Sequence, residues 1–217
     1  MNQYWEKVWN NSTIMEHMGY VYGLVDIDSQ FIQSFEEHEI HNVCDAACGF
    51  GKYSALLCAN GFEVSGFDIA ESSLHLTRQI LHFLGMDSVV NNYIKADILH
   101  TPYEDNQFDA VVAHAIIDHL PKKDAKQALQ ELHRIIRLDG LIYLSFAGMT
   151  TNESVHQNTC SYDGNFPLQS LDREGLLYAY YTDDNIRELL SNYHILSFHI
   201  KKNGDRDIIL QKLSTNQ

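Results

Sequence analysis

The sequence predicts an α/β fold built on a mostly parallel sheet. Apolar segments of strand length alternate with segments of helical periodicity through the middle of the chain, which is the order typical of α/β proteins. A glycine turn, residues 46–51, follows the first apolar segment and precedes a helix, so that backbone can approach a ligand closely. Two alternating segments joined at Asn203-Gly204 close the chain and predict an antiparallel hairpin. We treat residues 1–217 as one domain, because no internal repeat or boundary interrupts them.

The composition excludes several classes of protein. The net charge is −14, from 29 acidic and 15 basic residues, and the basic residues form no stripe. A nucleic-acid partner is therefore not expected, since binders of the phosphate backbone present basic surface. No apolar run approaches membrane-spanning length and no signal-peptide pattern begins the chain, so we expect a cytoplasmic protein with no membrane contact. The sequence indicates no particular oligomeric state.

The four cysteines are predicted to be free thiols. They are Cys44, Cys48, Cys58 and Cys160. The first two could be taken as a metal pair, but no second Cys/His pair stands at the spacing of a structural zinc site. We therefore predict no metal and a reducing compartment.

The first 38 residues are predicted to form a helical lid or brace. Aromatic residues are frequent up to residue 24, and Trp5 and Trp9 have the spacing of one helix face. Residues 25–38 have the pattern of an amphipathic helix that leads into the first strand. Two compatible interpretations stay open: the aromatic side chains pack on the domain, or they border a ligand.

The predicted elements follow in order along the middle of the chain. Strands are expected at 41–44, 62–67, 89–96, 108–113 and 141–146. Helices are expected from Lys52 to a stop at Gly61, from residue 70 to Gly85, and after Pro121. Residues 138–140 are expected to be the turn before the fifth strand. The fourth strand is almost continuously apolar, as a central parallel strand should be.

A long segment then changes character. Residues 147–175 are rich in Gly, Ser, Thr and Asn, and we expect residues 147–181 to form a partly ordered loop that covers the cleft. Thr182 is a good N-cap for the helix that follows, with Asp183 and Asp184 in its first turn. The hairpin strands are expected at 194–200 and 207–213.

The glycine turn supports two interpretations. A dinucleotide site requires Gly-x-Gly-x-x-Gly, and here Ser54 stands at the third position, so the match is half complete. Alternatively, Asp45 to Gly51 follows the pattern Asp-x-Gly-Cys-Gly-x-Gly with Ala47 in place of the first glycine. In this respect the chain resembles the class I S-adenosylmethionine-dependent methyltransferases. The Phe-Asp-x-Val pattern at 108–111 and the order of the other elements extend the resemblance over nearly the whole chain.

The resemblance implies a Rossmann-like three-layer sandwich with a seven-stranded, mostly parallel sheet closed by the C-terminal hairpin. Residues 180–182 before a helix also resemble small-molecule methyltransferases of the type 11/25 and tellurite-resistance-like groups. The implied cofactor is S-adenosyl-L-methionine, with S-adenosyl-L-homocysteine as the product. The residues implied at the cofactor are Asp45, Ala46, Ala47, Cys48, Gly49, Gly51, Asp68, Ile69, Asp97, Ile98 and His114.

Asp68 stands 23 residues after Asp45 (68 − 45), at the end of the second predicted strand. The resemblance gives it the role of ribose acceptor, because a carboxylate can accept hydrogen bonds from both vicinal hydroxyls. The alternative is that Asp68 caps the following helix. Asp97 with Ile98 is implied at the adenine, and the backbone at Ala47 and at 113–114 at the amino-acid end.

The reaction implied is in-line displacement of the activated methyl group by a small-molecule acceptor, which the protein promotes by alignment. His119 is the candidate general base, because it follows the fourth strand at the ligand-binding edge of the sheet. Tyr4, Trp5 and Tyr181 either face the cationic sulfonium or belong to the core. Two other functions stay open: a NAD(P)-dependent oxidoreductase, against which Ser54 counts, and a non-catalytic module that binds S-adenosylmethionine.

Overall fold

The computed structural model describes residues 2–22, 30–148, 161–163, 166–170, 177–179 and 181–213. The α-helices are α1 Asn2–Asn10, α2 Ile14–Tyr22, α3 Gln30–Glu37, α4 Lys52–Ala59, α5 Glu71–Phe83, α6 Lys122–Ile135 and α7 Asp183–Leu189. The strands are β1 Asn42–Ala46, β2 Glu63–Asp68, β3 Tyr93–Lys95, β4 Phe108–Ala113, β5 Ile136–Phe146, β6 Ser161–Asp163, β7 Phe166–Ser170, β8 Leu177–Ala179, β9 His194–Ile200 and β10 Arg206–Gln211. Among the described residues, 3-10 turns lie at Asp87–Asn92 and Ile117–His119.

Seven strands form the main sheet in the order β3-β2-β1-β4-β5-β10-β9. The neighbouring strands in the series β3-β2-β1-β4-β5 all pair in parallel. β10 pairs antiparallel with both β5 and β9. The predicted seven-stranded sheet with an antiparallel C-terminal hairpin is confirmed. The strand order reverses between β1 and β4, and such a switch point opens a crevice at the carboxyl edge of the sheet.

Both faces of the sheet bury apolar side chains under helices. On one face α6 and α7 pack against β4, β5 and β10, with Leu132 and Ile142 in the cluster. On the other face α3 and α4 cover the same strands, with Phe35 and Leu57 fully buried. The helix predicted after Pro121 is α6, and its inner face includes Ala125, Leu129 and Leu132, all fully buried. Burial on both faces explains why β4 is apolar throughout.

The N-terminal region contains two helices, α1 and α2, and the tryptophans expected on one helix face, Trp5 and Trp9, stack on each other in α1. A hydrogen bond from Ser12 N to the carbonyl oxygen of Trp9 closes the bend between the two helices. Both helices contact α5. Residues 23–29, in which the next helix was expected to begin, lie outside the described residues, and α3 starts at Gln30.

The prediction for the third strand is wrong at its start. Residues 87–92 form a 3-10 turn, and pairing with β2 begins only at Tyr93, opposite Gly66. Asn92 donates its side-chain amide to the carbonyl oxygen of Val64, which ends the turn beside β2. Asparagine has low strand propensity, and the ring of Tyr93 lies on Gly66, where a Cβ would be 2.6 Å from it.

The turn predicted at residues 138–140 is an irregularity inside β5. Phe108 pairs with Ile136 and Ala110 with Leu141, so β5 carries extra residues opposite β4. Asp139 adopts a left-handed φ of 61°, and a Cβ on Gly140 would lie 2.5 Å from the carbonyl oxygen of Asp109. The strand therefore continues through this position because the bulge fits closely against β4.

The segment expected to be a covering loop contains strands. β6, β7 and β8 pair into a small antiparallel sheet, and β8 packs against the 3-10 turn after β4. The other residues of 149–180, including Cys160 and Tyr180, lie outside the described residues. Thr182 caps α7 as predicted, and Asn185 completes a capping box with it. No helix in the described ranges is long and apolar enough to cross a membrane.

Candidate functional site

The glycine turn lies at the carboxyl end of β1, beside the switch point of the sheet. Ala47, Gly49 and Gly51 have left-handed φ values of 53°, 57° and 81°. Cys48 N donates to the carbonyl oxygen of Phe67 at 3.0 Å, which attaches the turn to β2. Ala47 stands where the methyltransferase pattern has glycine, and a left-handed residue with a Cβ costs about 1–2 kcal/mol.

The carboxylate of Asp68 links the turn to the loop before α5. Oδ2 accepts from Gly49 N at 3.0 Å and Oδ1 accepts from Ala70 N at 2.9 Å. Asp68 is 5% exposed, and burial raises its pKa although these backbone hydrogen bonds act against the shift. Each oxygen retains capacity to accept another hydrogen bond. The glycine turn and Asp68, both singled out from the sequence, are therefore in direct contact.

The helix-cap interpretation of Asp68 is wrong, because Ala70 is the N-cap residue of α5. The first amides of α5 are bound by a residue that the sequence did not single out. Glu6 accepts from Glu71 N through Oε2 and from Ser72 N through Oε1, both at 2.9 Å. Nothing local signals this role, since 65 residues separate Glu6 from Glu71.

The two glycines of the turn face different neighbours. A Cβ on Gly51 would lie 2.8 Å from Cγ2 of Thr77, so this glycine permits close packing of α4 against α5. A Cβ on Gly49 would lie 3.2 Å from the ring of Trp9. The carbonyl oxygen of Gly49 accepts from Ser73 Oγ at 2.6 Å and from Thr77 Oγ1 at 2.8 Å. Both polar backbone groups of Gly49 are therefore held by side chains.

Asp45 and Ser54 form a buried pair below the turn. Ser54 Oγ donates to Asp45 Oδ2 at 2.5 Å, and Asp45 is 3% exposed. Burial raises the pKa of Asp45 to about 7, although the hydrogen bonds from Ser54 oppose the shift. Asp45 therefore orders the turn and α4, which explains the serine at the third position of the glycine pattern.

The other residues predicted at the adenine and ribose lie at the ends of β2 and β3. Asp97 is exposed, and its Oδ1 accepts from Leu99 N at 2.9 Å. Ile98 and Ala46 are buried in the core cluster, and Ile69 is half-buried. The contacts of Asp97, Ile69 and Ile98 with a cofactor stay predictions.

His114 lies at the end of β4, with its ring 4.4 Å from that of Tyr53. Burial lowers the pKa of His114 to about 3, and the charges of Lys201 and Lys52 act in the same direction. The imidazole is therefore neutral at ordinary pH. Ala115 follows with a φ of 52°, and its N–H donates to Ser145 Oγ at 2.8 Å.

His119 lies in the 3-10 turn after β4, and its ring is 5.4 Å from that of Trp5. The preceding Asp118 is buried, and its Oδ2 accepts from Ala147 N at 3.0 Å, which joins the turn to the end of β5. Trp5 also contacts Tyr4 edge to face at 5.1 Å. The structure thus brings Tyr4, Trp5 and His119 together.

Tyr181 belongs to the core. It is 2% exposed, and its ring packs edge to face on Phe146 at 5.2 Å. Its carbonyl oxygen accepts from the guanidinium of Arg206, which also donates to Ala147 and Gly204. Of the three aromatic candidates, Trp5 contacts His119, Tyr4 contacts Trp5, and Tyr181 packs on Phe146 of β5.

The cysteines Cys44, Cys48 and Cys58 are free thiols, as predicted, and burial raises the pKa of each. Across the described ranges, no group of three His, Cys, Asp or Glu side chains is placed to hold a metal ion. Cys48 is fixed by the sulfur contact with Thr77 Oγ1 at 3.7 Å. These thiols therefore act as small apolar side chains within the fold.

Comparison with known proteins agrees with this geometry. A family model described as "Methyltransferase domain" matches residues 44–144. A methyltransferase of Streptomyces halstedii, GfsG, is 31% identical over 48% of this chain and 37% of its own length. The ubiquinone biosynthesis O-methyltransferase of Hydrogenovibrio crunogenus is 27% identical over 54% of this chain and 46% of its own length. The chain thus spans less than half the length of these curated relatives.

Solved structures share the fold. A protein of Pyrococcus horikoshii superposes with a TM-score of 0.71 at 20% identity, covering 94% of this chain and 93% of its own. The magnesium protoporphyrin IX methyltransferase of Synechocystis, solved with bound S-adenosylhomocysteine, gives a TM-score of 0.63 at 20% identity, covering 90% and 84%. At these identities the similarity shows the fold alone.

Proposed function

Residues 44–144 match a methyltransferase domain, and we propose that the chain is a class I S-adenosylmethionine-dependent methyltransferase that methylates a small-molecule acceptor. The main support for the proposal is the hydrogen bond that Gly49 N donates to Asp68 Oδ2. It joins the turn after β1 to the acid after β2 at the switch point, where open α/β sheets bind ligands. Similar proteins named as ubiquinone biosynthesis and magnesium protoporphyrin IX methyltransferases favour a small acceptor.

The residues fit the proposed cofactor, S-adenosylmethionine, by their chemistry. Asp68 has acceptor capacity for ribose hydroxyls, and Asp97 is an exposed carboxylate next to the apolar Ile98, as suits an adenine. Backbone groups at Ala47 and at the end of β4 would hold the amino-acid part. The cofactor supplies a methyl group already activated on a sulfonium, so the protein's main contribution is to align the acceptor with it.

Within this proposal His119 accepts a proton from the acceptor, and Tyr4 and Trp5 present aromatic faces to the positive charge. Residues 1–38 act as the lid, which the contacts of α1 with Gly49 and His119 support. Residues 147–181 act as the cover on the acceptor side, which the packing of β8 on the 3-10 turn supports. The free thiols Cys44, Cys48 and Cys58 support a cytoplasmic location, where the environment is reducing.

The nicotinamide alternative is disfavoured, because the third glycine of the dinucleotide pattern is replaced by Ser54, which hydrogen-bonds to Asp45, and because residues 44–144 match a methyltransferase domain. An experiment distinguishes the enzyme from the other alternative, a non-catalytic module that binds S-adenosylmethionine. Binding of S-adenosylhomocysteine without methylation of any compound in a broad panel of small acceptors would favour it over the enzyme.

Calorimetric titration with S-adenosylhomocysteine tests the site, with NADH in parallel. We expect binding of the thioether alone, weakened at least tenfold in Asp68→Ala. Asp109→Ala is the matched control, because Asp109 also accepts two backbone N–H groups at 2.9 Å but lies at the opposite edge of the sheet. Equal affinity of Asp68→Ala and the parent, or binding of NADH in place of the thioether, would contradict the proposal.

A further inference from the structure

The N-terminal helix is attached to the core at the loop that carries Asp68. We propose that Glu6 is a positioning residue that locks α1 across the cofactor site and thereby sets how long S-adenosylhomocysteine stays bound. This inference rests on the proposed methyltransferase function and adds to it the control of product release.

The polar part of the attachment consists of three hydrogen bonds between α1 and α5. The two carboxylate oxygens of Glu6 accept from Glu71 N and Ser72 N, and the main-chain oxygen of Glu6 accepts from Ser72 Oγ at 3.0 Å. The first amides of a helix have no partner within the helix, and its positive end favours an anion. Although burial acts in the opposite direction, the bonds from Ser72 and Glu71 hold the pKa of Glu6 below its usual value.

The neighbours of Glu6 on α1 contact both sides of the proposed site. Trp9 lies over Gly49, and Trp5 lies against His119. The rings of Trp5 and Trp9 also stack at 6.3 Å, so they form one surface on the helix. α1 therefore extends from the turn after β1 to the turn after β4, and Glu6 fixes it between these ends.

Helix α1 packs beside the loop that carries the buried carboxylate of Asp68. Asp68 is 5% exposed, and α1 contacts the turn on one side of its loop at Gly49 and the helix on the other side at Glu71. A ligand that hydrogen-bonds to Asp68 needs access to its carboxylate. We infer that α1 must leave its position for ligand to enter or leave, which makes the strength of the Glu6 bonds rate-controlling.

An apolar contact between α2 and the glycine turn supplements the polar one. The ring of His17 stacks on Phe50 at 4.4 Å, and Trp9 lies 6.2 Å from the same ring. Such contacts tolerate sliding, whereas two hydrogen bonds to one carboxylate have directional geometry. Glu6 is therefore the group that sets the position of Trp5 relative to His119, and the aromatic contacts hold the helix nearby.

The chain provides its own optical probe for this movement. Its two tryptophans are Trp5 and Trp9, both in α1, so intrinsic fluorescence reports the position of this helix directly. Glu16 provides a matched control, because its carboxylate accepts from the backbone N–H of Thr13 at 2.7 Å within its own N-terminal turn. Removing Glu16 deletes the same kind of capping bond without touching α5.

The experiment compares parent, Glu6→Ala, Glu6→Gln and Glu16→Ala in the full chain. Bound S-adenosylhomocysteine is displaced by excess S-adenosylmethionine in a stopped-flow instrument while tryptophan emission is recorded. For Glu6→Ala we expect roughly tenfold faster dissociation and red-shifted emission, since charge-assisted hydrogen bonds are lost. Glu6→Gln keeps one acceptor oxygen and should fall between Glu6→Ala and the parent, and Glu16→Ala should match the parent.

The outcomes separate this inference from the function on which it rests. If the parent does not bind S-adenosylhomocysteine, both the proposed function and the control of its release are refuted. If the parent binds but Glu6→Ala releases ligand at the parental rate with unchanged emission, only the role of Glu6 is refuted. Equal acceleration in Glu6→Ala and Glu16→Ala would also refute it, because general loosening of the N-terminal helices would then suffice.

Discussion

Replacing Asp45 by asparagine tests whether a buried acid is kept neutral beneath the glycine turn. Asp45 is 3% exposed and accepts the Ser54 hydroxyl at 2.5 Å. Burial raises its pKa from 3.8 to about 7. Asparagine has nearly the same shape and keeps a carbonyl oxygen as acceptor for Ser54, so the substitution removes mainly the ionisation.

The magnitude follows from the difference in pKa between the folded and unfolded states. Between pH 4 and 7 the folded protein holds a proton on Asp45 that the unfolded chain has released, so the contribution of Asp45 to the free energy of unfolding falls as the pH rises. Each unit of pKa difference corresponds to about 1.4 kcal/mol. A pKa raised from 3.8 to about 7 therefore lowers the free energy of unfolding by roughly 4 kcal/mol, and this loss of stability is complete above pH 7.

Urea unfolding of the ligand-free proteins between pH 3 and 8 measures this loss. The stability of Asp45→Asn relative to the parent should rise by about 4 kcal/mol between pH 4 and 8. Asp109→Asn is the control of opposite sign. Although burial acts against it, the bonds from Asn42 N and Arg137 lower the pKa of Asp109, so this variant should be less stable than the parent above pH 4 and approach it below. A difference for Asp45→Asn that stays flat from pH 4 to 8 would refute the reasoning.

Three further substitutions test the backbone and cap geometry by urea or thermal unfolding. Ala47→Gly should raise the free energy of unfolding by about 1 kcal/mol, because it relieves a left-handed φ of 53°; a loss of stability would contradict this. Gly140→Ala should lower it by about 1–3 kcal/mol, since the new Cβ would lie 2.5 Å from Asp109 O, whereas Gly19→Ala, with no atom within 4 Å, should be neutral or stabilising. Thr182→Ala removes the capping box of α7 and should cost about 1 kcal/mol, or about 2–4 °C in Tm by calorimetry; an unchanged Tm would show that the cap does not contribute.

Local sequence determined the elements whose pattern lies within a few residues. β4 has the predicted bounds, Phe108–Ala113. A short apolar run that is buried on both faces is typical of a central parallel strand. α7 begins after Thr182 because the cap and its partner Asn185 are three residues apart. The turn residues and Asp68 were also identifiable in advance, since a strand that ends in small or acidic residues indicates the ligand-binding edge of a parallel sheet.

Tertiary packing decided the features whose partners are distant in sequence. The bulge at Asp139 and Gly140 depends on the fit against Asp109 in the neighbouring strand, and the late start of β3 depends on Gly66 receiving the ring of Tyr93. The capping of α5 by Glu6 joins residues 65 positions apart. Such contacts depend on how helices and strands pack against one another. Short-range periodicity shows only which face of a helix or strand is apolar, so it does not identify the residues that this face will contact.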